Sequence, residues 1–145
     1  CPPGQVLKYQ RRISGPLLDR IDLVVDVPRQ PTETLLSAPS AESSAMVRAR
    51  VDAARDRQRE RATTNGTAAT NAELRSEHLR AHGMLTDDAR ALLLRAAEKL
   101  HLSARATIRC IRVSRTIADL AGSDPITADH VSEALQYRAK LAAAG

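Results

Sequence analysis

From residue 44 onward, apolar residues recur at intervals of three and four, a pattern that predicts helices almost to the end of the chain. Residues 44–61 read as a strongly charged helix with Val47, Val51 and Ala54 as its apolar line. The segment TTNGTAAT closes it with a glycine-containing loop, and Asn71 is expected to cap a short helix over 72–80. Thr86 is expected to cap the next helix, where Asp87 and Asp88 suit the positive end of the helix dipole. Its apolar face is Ala89, Leu92, Leu93, Ala96, Ala97 and Leu100. Ser103 opens the longest predicted helix, which runs to about Ala121 with Gly122 beyond it as a C-cap. Ile108, Ile111, Ile117, Ala118 and Ala121 form its core side, and Thr127 caps a last helix over 128–141. The expectation is a helical bundle from about residue 44 to 142, without internal repeats.

The first 43 residues follow other rules. Residues 5–12 (QVLKYQRR) suit a turn or two of helix, SGP at 14–16 interrupts it, and Pro16 can open a short LLDR helix. Leu23–Val27 is apolar and mostly β-branched and ends at Pro28, which predicts a single buried strand. One strand cannot make a sheet, so its partners must lie elsewhere. Residues 28–44 are rich in Pro, Ser and Thr, and a linker is placed at 29–43.

Composition sharpens this picture. Hydrophobic residues make up 43% of the 145, yet there are two Tyr and no Phe or Trp, so Leu, Ile, Val and Ala must build the core. Ala and Leu favour helix. The length suits one domain, or a domain plus a fragment of another. A chain starting at Cys1 is expected to be a piece of a longer protein. No run of 18 apolar residues exists to form a spanning helix. The net charge of +5 suits polyanionic partners and solvated helices alike. Two cysteines make no disulfide framework, which points to the cytoplasm.

Three constellations carry candidate chemistry. Arg105, Arg109 and Arg112 share one helix face, and Arg105 lies in the first turn, where a phosphate would meet a cation and free backbone N–H groups together. The plainer reading is a solvated basic face. Arg20 sits between Asp19 and Asp22, an order that would present a single arginine to a phosphate. Arg48, Arg50, Arg55, Arg57, Arg59 and Arg61 crowd the first bundle helix, interleaved with Asp52, Asp56 and Glu60. Asp52–Arg55 and Asp56–Arg59 stand at helix-pair spacing, so this face is expected to neutralise itself. DNA contact there stays open, although no aromatic residues interleave to stack on bases.

Other motifs resolve more simply. His78 and His82 have the i, i+4 spacing of zinc ligands, but Leu79 stands where a metalloprotease needs its glutamate and no third ligand is evident. Cys110 reads as a small core side chain. Cys1 alone is a weak metal ligand, so no metal site is expected. No G-x-x-x-x-G-K-[ST] is present and no apolar strand ends in paired acids, so the chain cannot cradle a nucleotide by itself.

Three segments, YQRRISGPLLDRIDLVVDVP, RARVDAARDRQRER and LSARATIRCIRVSRTIADLAGSDPITADHVSEALQYR, together resemble the C-terminal part of the magnesium-chelatase-like AAA+ proteins, in their competence ComM group. The resemblance implies that residues 1–28 are the closing edge of an α/β core and residues 44–145 a helical lid. It also implies that the strand's sheet lies outside this chain. LLDRID is similar to the motif carrying the arginine finger, which places Arg20 in that role, in trans, at a neighbouring subunit's γ-phosphate. Asp19 and Asp22 would orient it. SARA resembles the sensor 2 position, with Arg105 favoured and Arg109 kept as the alternative. The implied whole protein is a homo-oligomeric, hexameric ATPase that uses ATP and Mg²⁺ and acts on DNA in branch migration or helicase work, with no membrane partner. This chain alone would bind neither cofactor and would be inactive. A non-catalytic helical DNA-binding module, or a subunit inserting Mg²⁺ into a porphyrin, are the alternatives.

Overall fold

In a computed structural model, residues 20–25, 27–29, 31–33, 42–81 and 84–142 are described, and the chain there is mainly helical. Ser43 starts α1, Ser44–Asn65, by accepting the Met46 amide, and Gly66 stops it in the left-handed conformation. A 3₁₀ turn at Asn71–Glu73 and the short α2, Ser76–Ala81, follow. Then come α3 (Asp87–Lys99), α4 (Ala104–Leu120) and α5 (Ala128–Ala142). Two of the expected caps form: Thr86 Oγ1 accepts the Ala89 amide and Ser103 Oγ the Ala106 amide. At α5 the Thr127 amide donates to His130 Nδ1.

The helices pack because each has one apolar side. Helix α4 is the hub, lying against α1, the 3₁₀ turn and α5, while α3 packs on α5. Leu74, Leu79, Met84, Ala89, Leu93, Cys110, Ile111, Ala118, Ile126, Val131 and Ala134 are the buried core, with Leu92, Ile108 and Ile117 at its margin. A short parallel bridge pairs Leu85 with Ile126, in which the Thr86 amide donates to Ile126 O (3.0 Å) and the Ile126 amide to Met84 O (2.6 Å). This clasp ties the loop before α3 to the loop before α5.

Several sequence expectations need correction. No strand forms over the described residues of 23–27; Leu23, Val25 and Val27 are exposed, and only the Val24 amide is engaged, by Tyr137 O of α5 at 3.2 Å. A β-branched run has nothing to ladder with when no second strand is beside it. In α1 the apolar line is not what packs: Val47 and Val51 are exposed, while Ala54 and the polar Gln58 are buried. Residues 44–53 all face solvent, so the first turns of α1 stand clear of the bundle. With 22 residues α1, not the 17-residue α4, is the longest helix. Asn71 does not cap a helix but is buried as a hydrogen-bonding hub. Ala121 is exposed, because α4 turns away there.

Candidate functional site

The site is built at the first two turns of α4. Ser103 caps the helix, Arg105 lies exposed in its first turn, and Arg109 follows one turn later. Arg109 is different in kind: its side chain is mostly covered, and its Nη1 stands 3.0 Å from Asp22 Oδ1. That nitrogen is buried and makes no aligned hydrogen bond, so the contact is ionic proximity rather than a bidentate fork. Asp22 itself remains half exposed. Two residues on, the Val24 amide is held by Tyr137 O. The segment carrying Arg20 is therefore pinned at two points, one on α4 and one on α5. Arg20 is exposed, two residues before the first pin.

This arrangement splits the predicted arginine stripe. Arg112 does not join it: its Nε and Nη2 both donate to Leu74 O, at 2.8 and 2.5 Å, closing the end of the 3₁₀ turn. Arg105 and Arg109 remain as a pair near the helix start, and Arg20 lies two residues, at most about 7 Å of backbone, from the Asp22 that contacts Arg109. Asp22, expected to orient Arg20, engages Arg109 instead. Asp19 and Cys1 lie outside the described residues.

At the far end of α4 is a polar cluster that sequence reasoning missed. Arg115 is 1% exposed; its Nε donates to Asp119 Oδ1 at 3.1 Å, Nη2 to Ser123 O at 2.6 Å, and Nη1 to Asp124 O. Asp119, fully buried in its side chain, also pairs with Arg61 of α1 and accepts from Asn71 Nδ2 at 2.7 Å. Gln58 Oε1 in turn accepts the Asn71 amide at 3.2 Å. Burial pushes the Arg115 guanidinium below its ordinary value, and the Asp119 carboxylate pulls it back up. A cleft of about 450 Å³ opens beside this cluster, with Arg57 and Glu60 on its wall. The signal for the cluster was present in the sequence: Arg115 and Asp119 stand on the same face as Ile111 and Ala118, where a core helix should be apolar.

The basic helix α1 behaves largely as a self-neutralised surface. Arg50 reaches Glu42 with two hydrogen bonds and Arg59 reaches Asp56 at 2.6 Å. Arg55 bonds Gln58 rather than Asp52. His78 Nδ1 accepts the Arg75 amide at the start of α2, while His82 lies outside the described residues. Cys110 is buried in the core as expected, and burial pushes its thiol up to about 11.

Comparisons with known proteins fit this build. The family model described as "Magnesium chelatase, subunit ChlI C-terminal" matches residues 41–138, and "Magnesium chelatase, subunit ChlI" matches residues 1–35. Competence protein ComM of Haemophilus influenzae is 43% identical over 140 residues, which are 96% of this chain and 26% of that protein. Uncharacterized protein YifB of Escherichia coli is 42% identical over 96% of this chain and 27% of its own length. An uncharacterized protein of Mycobacterium tuberculosis is 36% identical over 95% and 27%. The chain thus spans about a quarter of the length of the curated relatives it matches.

Proposed function

The chain belongs to the magnesium-chelatase ChlI family as a ComM-like AAA+ member, and on that premise we propose that it supplies the lid and the arginine finger of an ATPase subunit. In this reading Arg20 reaches the nucleotide of a neighbouring subunit in a homo-oligomeric, hexameric ring, Arg105 contacts phosphate from the lid, and the ring acts on DNA. The observation that carries it is the double pin of residues 22–24 on α4 and α5, which ties the segment bearing the exposed Arg20 to the helix whose first turn carries the exposed Arg105. Arg105 and Arg109 stand one turn apart on α4, and the segment bearing Arg20 is tied to Arg109 through Asp22, a basic surface that suits a triphosphate better than a neutral ligand. With no P-loop in the sequence, the nucleotide's cradle and Mg²⁺ ligands must come from the rest of the protein. ATP would supply the transferable phosphoryl group and Mg²⁺ would neutralise its charge. The residues of this chain would orient the phosphates and stabilise negative charge as it develops.

DNA is favoured over a porphyrin as the substrate because a relative at 43% identity is a competence protein. A purely DNA-binding module is less supported, since ion pairs occupy much of the basic charge on α1.

The test is ATP turnover by a full-length protein containing this chain with Arg20→Ala, with assembly checked alongside. Turnover is expected to fall by about 10³-fold or more, the range seen for arginine fingers in GTPases. Partial recovery is expected on mixing with subunits that keep Arg20 but cannot bind ATP. Unchanged turnover would return Arg20 to the status of a surface charge.

A further inference from the structure

Asp22 occupies a position that its surroundings do not require. It is half exposed and would be well solvated alone, yet its carboxylate sits against a mostly covered guanidinium. Among the described residues Asp22 is the countercharge at Arg109, whose Nη1 is buried without an aligned hydrogen bond, and the neighbouring Arg105 is another cation. A single monodentate carboxylate is a weak partner for such a group compared with a polyphosphate, which brings several negative oxygens and satisfies two N–H donors at once. Among the described residues, the segment bearing Asp22 has one further tie at residue 24, a backbone hydrogen bond to Tyr137 O.

Building on the reading above, we propose that Asp22 and Arg109 form a latch that positions the Arg20 segment, and that phosphate oxygens open it by displacing Asp22. In the closed state Asp22 neutralises Arg109 and holds residues 20–24 against α4 and α5. When a triphosphate reaches the first turns of α4, Arg109 and Arg105 take its oxygens, Asp22 is released, and the chain carrying Arg20 is freed from its first pin. Asp22 and Arg109 are thus positioning residues for Arg20. No covalent step is involved; one carboxylate contact is exchanged for a stronger set of charge-assisted hydrogen bonds.

The 145-residue chain itself suffices for the test, with inorganic tripolyphosphate as the probe at low salt. Asp22→Asn is expected to tighten tripolyphosphate binding by about five- to tenfold, since the competitor is removed. Asp52→Asn, which deletes the same charge on an exposed face of α1, is expected to change it by less than about twofold. Arg109→Gln should weaken binding by about tenfold, and Arg109→Lys should restore part of it. In a Cys1→Ser background, a nitroxide on Leu23→Cys should gain mobility when tripolyphosphate is added. With Asp22→Asn it should be mobile from the start. Equal tightening by Asp22→Asn and Asp52→Asn, or a label indifferent to tripolyphosphate, would overturn the latch. These readouts do not depend on turnover: a silent Arg20→Ala sinks the finger while leaving the latch standing, and a failed latch readout alongside lost turnover in Arg20→Ala sinks the latch alone.

Discussion

Cys110 shows how far a single buried group can report on the fold. Its thiol is fully enclosed between α4 and its neighbours, and burial raises it from about 9 to about 11, with Arg138 and Ser114 partly opposing that rise. The native state therefore holds its proton to higher pH than the unfolded chain does. Stability from this source is complete below pH 9 and is lost as pH climbs from 9 through 11, a drop of about 2–3 kcal/mol for a shift of two units. Urea midpoints at pH 8 and pH 10.5 should show the loss in the parent chain and a flatter profile in Cys110→Ala. That Cys110 packs in the core was legible from its place among Ile108, Ile111 and Val113. Asn71 was not legible, because a side chain that caps in isolation serves equally well as a buried bridge once Asp119 and Thr116 are brought to it. Contacts of that range have no signature in local spacing.

At the scale of elements, the helix ends and the apolar faces of α3 and α4 were well read, and the face of α1 was not. Ser103 and Thr86 cap as their chemistry dictates, whatever the rest of the chain does. The face of α1 was misread because its valines lie toward one end, beyond the reach of the bundle, whereas its packed positions are Ala54 and Gln58. Helices α3 and α4 end alike. The amides of His101 and Leu102 return to Glu98 O and Ala97 O, and those of Gly122 and Ser123 to Asp119 O and Ala118 O. Both endings place one residue at positive φ, His101 at 48° and Gly122 at 73°. The histidine carries a strain the glycine avoids, about 1 kcal/mol. Thermal unfolding should therefore show His101→Gly stabilising by up to about 1 kcal/mol. Gly122→Ala should destabilise by about 1–2 kcal/mol, the more so because its new Cβ would sit 3.3 Å from Arg57 Nη2. Equal and opposite signs to these would mean that the loops relax and the endings carry no strain.

For the whole molecule, the cluster around Asp119 is the tie that joins α1 and the 3₁₀ turn to the hub helix. One carboxylate answers one buried and one mostly covered guanidinium, so Asp119→Ala leaves both Arg61 and Arg115 without that countercharge. The expected cost is about 3–5 kcal/mol. Hydrogen exchange should localise it: the amides of α1 lose protection first, while those of α3 and α5 hold longer. Undiminished protection in α1 would mean that Ala54 and its apolar contacts hold that helix unaided. The helical class was readable from patterning, and the family from three segments in order. What held the helices in register was not, since it depends on charges brought together from 58 residues apart.

The freestanding start of α1 then has a mechanical meaning. Ten helical residues, 44–53, make a rigid arm of about 15 Å whose base is locked to α4 through Arg61. An arm of that length converts a 10° rotation of the bundle into about 3 Å of travel at its tip. Helix α1 is in this sense a pointer with gain. A small change of angle at the lid is magnified on the side of the chain that leads back to residues 1–35, the part matching the other family model.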